Sequence, residues 1–462
     1  MVAARFPEVV ERLAREIRDG LLPPGSRMPT HRALAERFGL APATASRVYE
    51  ELGKRGLVSG EVGRGTFVRG VAQHSMTDLG GSAVGGADRS ATLSQTIDLS
   101  VNYPILDGQD ALLGDTLRQL ADEKGVSGLL GYQAPAGRPR DRQAAAAWLA
   151  ACGLVATPDD ILVTTGAQHG IAVALMTVCS PGDSVAVESL TYPGVKILAG
   201  LLNLHLAPIE MDAQGLVPRH LEEVCRSRRI RAVYCMPTVH NPLGLVMPEE
   251  RRRQIVAICR KHDVFLLEDD AYAFLQERPP TPLRSLAPER CFNIQSLAKA
   301  FAPGLRIGYL VAPTPLMERA ESVIRSTTWT ASPITAELAS RWIHDGWGER
   351  LVTEKRQDAA ERQTLVSALL PTAAIQSHPT SYHVWLRLPP GVRGDDFVRH
   401  LKARNVIVSP SAAFVVPRRH AASAVRIAMG GVSVERLRDG LRIVAELYGR
   451  LRPMSVEAGG RW

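Results

Sequence analysis

Between residues 160 and 296 short apolar runs alternate with helical stretches, and this alternation constrains the fold more than any other feature of the chain. "DILVTTGAQHGIAVALMTVC" passes from strand to glycine to helix. "DSVAVES", "IRAVYCMP", "VFLLEDD" and "CFNIQS" are short, apolar and mostly preceded by helical stretches such as "PEERRRQIVAICRKH". Buried strands alternating with helices predict an α/β unit, a mostly parallel sheet with helices on both faces. From about residue 315 the pattern loosens into a long helical region, and then "YHVWLRL", "VIVSP" and "AVRIAMG" suit a smaller α+β domain. With 462 residues, 45% of them hydrophobic and 22% charged, the chain can bury a sizeable core in two or three domains.

The opening "MVAARFPEVVERLAREIRDG" is charged throughout and lacks the apolar stretch of a secretion signal. No later run approaches a membrane span, so a cytoplasmic protein without membrane contact is expected. Cys152, Cys179, Cys225, Cys235, Cys259 and Cys291 form no close pair. They read as reduced core thiols, with no metal site. The net charge is +8, and residues 1–70 hold twelve Lys/Arg against eight Asp/Glu, so half the excess lies in less than a sixth of the chain. A basic segment of that size points to a polyanionic partner.

That segment has its own pattern. Val9, Leu13 and Ile17 mark one helix, Thr30 caps a second that Gly39 ends, and Pro42 opens a third whose apolar face is Val48, Tyr49 and Leu52. "GLVSGEVGRGTFV" follows as two short strands with Arg64 between glycines at the tip. Three helices and a β-wing make a winged helix-turn-helix, whose third helix enters the major groove of double-stranded DNA. "LPPGSRMPTHRALAERFG", "ATASRVYEELGKRGLV" and "GRGTFV" strongly resemble the GntR-family DNA-binding domain over residues 1–70. The resemblance implies operator contacts by Arg32, Thr44, Ser46, Arg47 and Arg64. Ala41-Pro42 stands where this family commonly has a Ser-Arg-type pair. Residues 71–96, rich in Gly, Ser, Ala and Thr, read as a flexible linker to a domain over 97–450, its large part about 130–315 and its small part about 316–450.

In "QSLAKAFAPGLRIGYL" a lone lysine, Lys299, follows Ser296 by three positions and precedes Arg306 by seven. In α/β sheets ligands lie outside the carboxyl ends of strands, and other candidates converge there. Gly166-Ala167-Gln168 opens a helix whose N–H groups suit a phosphate. "LLEDDAY" ends a strand with three acids, of which one can pair with a cationic ring nitrogen and two read as solvated. Asn241 and Tyr272 can bond a ring oxygen, and Tyr192 can stack on a ring. Together these complement pyridoxal 5′-phosphate (PLP).

Residues 97–447 resemble a fold-type I PLP-dependent aminotransferase. The resemblance implies that Lys299 forms the aldimine, while Ser296, Arg306 and the Ala167 and Gln168 amides hold the phosphate. It implies Asp269 on the pyridine nitrogen, Tyr272 and Asn241 on the ring hydroxyl, and Tyr192 stacked on the ring. Tyr132 then reaches the phosphate of a neighbouring subunit in a homodimer, and Arg426 grips a carboxylate. Ala298 replaces a commonly hydroxylated residue. A GntR-type winged helix joined to such a domain is the arrangement of the MocR subfamily of transcription regulators. The reading is a regulator that senses an amine or amino acid, or PLP itself, through an aldimine at Lys299. A working aminotransferase with an accessory DNA-binding domain is the alternative.

Overall fold

The computed structural model describes residues 6–18, 22, 26–54, 57–61, 65–68, 96–123, 126–416 and 423–451. The chain divides into two compact units, Met1–Met76 and Thr77–Trp462. Nearly all of the expected linker, and Arg64 at the wing tip, lie outside the described residues.

The first unit contains α1 (Phe6–Arg18), α2 (His31–Phe38), α3 (Pro42–Lys54) and the antiparallel hairpin β1 (Val58–Glu61) with β2 (Gly65–Val68). Local chemistry sets its boundaries. Thr30 Oγ1 accepts from the Ala33 N–H at 3.2 Å, and Gly39 adopts the left-handed φ of 62° that ends α2. Val9, Leu13, Leu34, Val48 and Leu52 close the core, with Phe38 half-buried against it. Ser26 and Met28 extend the wing, because Met28 N–H donates to Thr66 O at 2.8 Å and Val68 N–H to Ser26 O at 2.9 Å.

The second unit begins with the short strand β3 (Ile97–Asp98), followed by α4 (Gln109–Asp122) and α5 (Pro139–Ala151). Its main sheet has seven strands: β4 (Ile161–Thr164), β5 (Ser184–Glu188), β6 (His205–Ile209), β9 (Ile230–Cys235), β10 (Phe265–Asp269), β11 (Cys291–Ser296) and β12 (Gly308–Val311). A separate antiparallel pair, β7 (Met211–Asp212) and β8 (Gly215–Leu216), stands beside it. The strand order is β4-β12-β11-β10-β9-β5-β6, and only β12 runs against its neighbours. Helices cover both faces, as the apolar strands require. Val187, Leu267 and Ile294 pack with Ile171 of α6 (Ala167–Val178) on one side, and Ala186, Val233 and Leu266 pack with Ile255 and Cys259 on the other.

The smaller sheet has the order β13 (Ile375–Gln376), β14 (His383–Arg387), β17 (Ala424–Ala428), β16 (Ser409–Pro410). β3 pairs in parallel with β15 (Val406–Ile407), so this strand is built into the C-terminal part of the unit. The helix Trp347–Leu369 joins the two cores: Leu351 and Ala359 lie in the large one and Val366 in the small one. Among the described residues no helix is long and apolar enough to cross a membrane, and no cluster of His, Cys, Asp or Glu could hold a metal ion.

Candidate cofactor site and DNA-reading face

A cavity of about 300 Å³ opens at the carboxyl ends of the central strands. It brings together Lys299, Ser296, Arg306, Ala167, Gln168, Tyr192, Asn241, Asp269, Tyr272 and Arg426. The strand-and-turn logic places each one. Lys299 sits on the short helix Leu297–Ala300 after β11, and Asp269 ends β10. Tyr192 precedes the helix Pro193–Leu201 and Gln168 lies in the first turn of α6. Arg306 takes a left-handed φ of 53° just before β12, which turns its guanidinium toward the Thr165 carbonyl at 3.3 Å. Gly166 leaves room for it, since a Cβ there would stand 3.1 Å from Arg306 Nη2. Free N–H groups of a helix start, the Ser296 hydroxyl and Arg306 thus border one end of the cavity.

Electrostatics sort the buried groups. Burial, with the charges of Arg426 and Arg306, lowers Lys299 to about 8, which leaves part of its amine neutral near neutral pH. Asp269 is raised to about 6, chiefly by burial, although Tyr234 Oη donates to its Oδ2 at 2.6 Å and Ala271 N–H to its Oδ1 at 3.1 Å. A cation set against this carboxylate would recover the charge that burial disfavours. Arg426 is 7% exposed, with Nη2 donating to Ser100 O and Ser409 Oγ. Its Nε, together with Asn241 Oδ1 and Gln168 Oε1, is buried and finds no partner among the described residues. Unpaired buried polar atoms at both ends of one cavity fit a ligand carrying its own polar groups.

One expectation changes: the acids flanking Asp269 are not solvated. A strand sends alternate residues to opposite faces, and Glu268 and Asp270 are buried on the far side, where Asn293 Nδ2 donates to both at 3.0 Å. Burial and the neighbouring Asp270 raise Glu268, and burial raises Asp270, so each carboxyl binds its proton more tightly than a solvated one would. A second lysine lies nearby: Lys355, 0% exposed, donates to the carbonyls of Lys299 at 3.1 Å, Phe301 at 2.6 Å and Pro104 at 2.6 Å. Asn102, Tyr234 and Ser409 are likewise site residues that sequence reasoning missed. Only strand-end position could have hinted at Tyr234, and nothing local marks Asn102 or Lys355.

Tyr132 lies outside the cavity. It is 87% exposed, its ring 5.4 Å from that of Trp329, near exposed Leu130. The six cysteines are free, and burial pushes Cys152 up to about 12, which suits an inert core thiol.

On the first unit, Arg32 and Arg47 are exposed and Thr44 is half-buried. The Arg47 guanidinium stacks over Phe6, 5.0 Å from the ring centre. Ser46 is less available than expected, because its hydroxyl lies 2.9 Å from His31 Nδ1 and donates to Pro42 O.

A winged helix followed by an α/β unit with a lysine, a strand-end carboxylate and a helix-start anion cradle defines a class: a DNA-binding regulator built on an aminotransferase scaffold. Comparison with known proteins agrees. Residues 94–444 match the family model for aminotransferase class I and II, and residues 7–68 that for bacterial regulatory proteins of the gntR family. YdeF, an uncharacterized HTH-type transcriptional regulator of Bacillus subtilis (strain 168), is 30% identical over 96% of this chain and 94% of its own. The HTH-type pyridoxine biosynthesis transcriptional regulator PdxR of Corynebacterium glutamicum is 28% identical over 79% and 78%. The fold is that of an archaeal alanine:glyoxylate aminotransferase, with a TM-score of 0.71, 23% identity, and coverage of 77% of this chain and 91% of that one. The chain belongs to the aminotransferase class I and II family and, with its GntR region, to the MocR subfamily of DNA-binding transcription regulators.

Proposed function

We propose that the second unit binds PLP at Lys299 and senses an amine or amino acid bearing a carboxylate, and that this binding alters operator affinity of the winged helix. The observation that carries the reading is the meeting of half-buried Lys299 and buried Arg426 in one cavity, with the Arg426 Nε–H unpaired among the described residues. When bound, PLP supplies an aldehyde that condenses with amines and a ring that accepts electron density.

This chain's residues have separate tasks there. Arg306, Ser296 and the start of α6 hold a phosphate; Asp269 holds a proton on a ring nitrogen; Asn241 and Tyr272 orient a ring hydroxyl. The partly neutral Lys299 Nζ provides the attaching amine, and Arg426 offers paired N–H groups to a carboxylate. Exposed Tyr132, beside Trp329 and Leu130, supports a homodimer in which it reaches the second site. Arg32, Thr44 and Arg47 contact operator DNA from the exposed helix surfaces, with Arg64 at the wing tip.

Titrating the full-length protein with PLP tests the reading. The visible absorbance of attached PLP is expected with wild type and is lost in Lys299→Ala. A normal absorbance in that variant, or a borohydride-trapped adduct on another lysine, would overturn it. Adding amino acids with and without a 2-oxo acid then separates sensing from turnover.

A further inference from the structure

We infer that residues 100–104 act as an internal ligand of this site, their carbonyls holding the cations that cofactor and effector engage, so that a bound carboxylate competes with Ser100 for Arg426. The inference rests on reading Lys299 and Arg426 as the cofactor and effector groups.

Every second carbonyl of this strap accepts from a different basic side chain. Ser100 O accepts from Arg426 Nη2, Asn102 O from Lys299 Nζ, and Pro104 O from Lys355 Nζ. Asn102 also donates through Nδ2 to Tyr272 Oη at 3.1 Å. The strap thereby touches the attaching amine, the carboxylate clamp and a ring-orienting phenol.

Its two ends are fixed by further bonds. At one end Leu99 N–H donates to Ile407 O at 2.8 Å, and Leu99 O accepts from Ala428 N–H at 2.7 Å. At the other, Lys355 bolts Pro104 to the turn that carries Lys299, with one carbonyl for each N–H of an ammonium. Lys355 is thus a positioning residue, acting through the backbone of Lys299 and Phe301.

The exchange at Ser100 is cheap by construction. A carboxylate needs two adjacent N–H donors. Arg426 offers the unpaired Nε–H and the Nη2 that Ser100 O engages. Once displaced, Ser100 O keeps a donor, because Ser409 Oγ lies 3.2 Å from it. No buried carbonyl is orphaned by the swap, which removes the main penalty against it. The strap also directly follows β3, the first element among the described residues of this unit, and so lies on the covalent path from the winged helix.

Hydrogen–deuterium exchange on the full-length protein tests this with two probes that share ring and phosphate. Pyridoxamine 5′-phosphate has no carboxylate, whereas N-(5′-phosphopyridoxyl)glycine has one. Both are expected to raise the melting temperature. Only the glycine adduct is expected to speed exchange in the peptide covering residues 97–103, by about fivefold or more. Arg426→Gln should erase the difference between the probes. Lys355→Met should speed exchange of this peptide with either probe and shrink the difference. If the Lys355 variant does not fold, the wild type and Arg426→Gln still decide. If both probes bind and the peptide exchanges equally, the strap inference is overturned while the cofactor reading stands. If neither probe raises the melting temperature, the cofactor reading fails and the inference fails with it.

Discussion

Asp269 shows how one residue's surroundings set both its function and its cost. Burial raises its carboxyl to about 6, against about 3.9 for an unfolded aspartate. A carboxyl that binds its proton more tightly when folded contributes stability fully below about pH 4, and that contribution is lost as pH rises through about 6. Without PLP, Asp269→Asn should therefore stabilise the protein above pH 6 by up to about 3 kcal/mol and leave it nearly unchanged at pH 4. The Tyr234 hydroxyl can turn to accept from the new amide. The same variant should weaken PLP binding, because a neutral amide cannot hold a ring proton. Urea unfolding at pH 4 and pH 7.5, with a PLP titration beside it, checks both signs. Loss of stability at pH 7.5 would mean that the bonds from Tyr234 and Ala271 outweigh the buried charge.

At the scale of elements, caps and turns are local and can be tested singly. Thr30→Ala removes the side-chain acceptor at the start of α2, and melting of the first unit should register a loss of about 1 kcal/mol with PLP absorbance untouched. Gly194→Ala should do the reverse. A Cβ there would stand 2.2 Å from the Tyr192 ring and 2.3 Å from Gln168 Oε1, so both site residues must shift. PLP affinity should fall at least tenfold, about 1.4 kcal/mol or more, with a far smaller effect on operator binding without PLP. The same locality explains what could be read in advance. Thr30, Gly39 and Pro42 announce α2 and α3 within a few residues, and β4, β5, β9, β10 and β11 show as apolar runs. β12 is hidden, because only the single 3-10 turn Pro303–Leu305, with no α-helix, separates it from the short helix that carries Lys299. Asp269 was legible from its strand end. The burial of Glu268 and Asp270 was not, since Asn293 and Arg252 cover them from another strand and from the helix Glu249–Lys261. Lys355 donates to a backbone carbonyl 251 residues away, and the Asn102 carbonyl accepts from a lysine 197 residues away, contacts that carry no sequence signature.

For the whole molecule, the uneven charge along the chain gives DNA binding its salt dependence. Operator affinity should fall steeply with salt, and Arg47→Ala should reduce the slope of log K against log salt by about one unit if Arg47 meets a phosphate. A base contact would instead relax sequence specificity and cost about 1–3 kcal/mol. Gel-shift titrations at several salt concentrations, on operator and unrelated DNA, separate these outcomes, and no change in either would remove Arg47 from the interface. The two units also differ in how far their contacts reach along the chain. The described elements of the winged helix all lie within residues 6–68, whereas Ser100 meets Arg426 across 326 residues and Lys299 meets Asn102 across 197. Such long closures are slow, because loop entropy is lost before the contacts repay it. The winged helix is therefore expected to acquire its structure early, while the cavity around Lys299 is completed only when β17, which carries Arg426, joins its sheet. On the function proposed above, a partly folded chain between those moments holds DNA with no means of answering a small molecule, and responsiveness is the last property that folding confers.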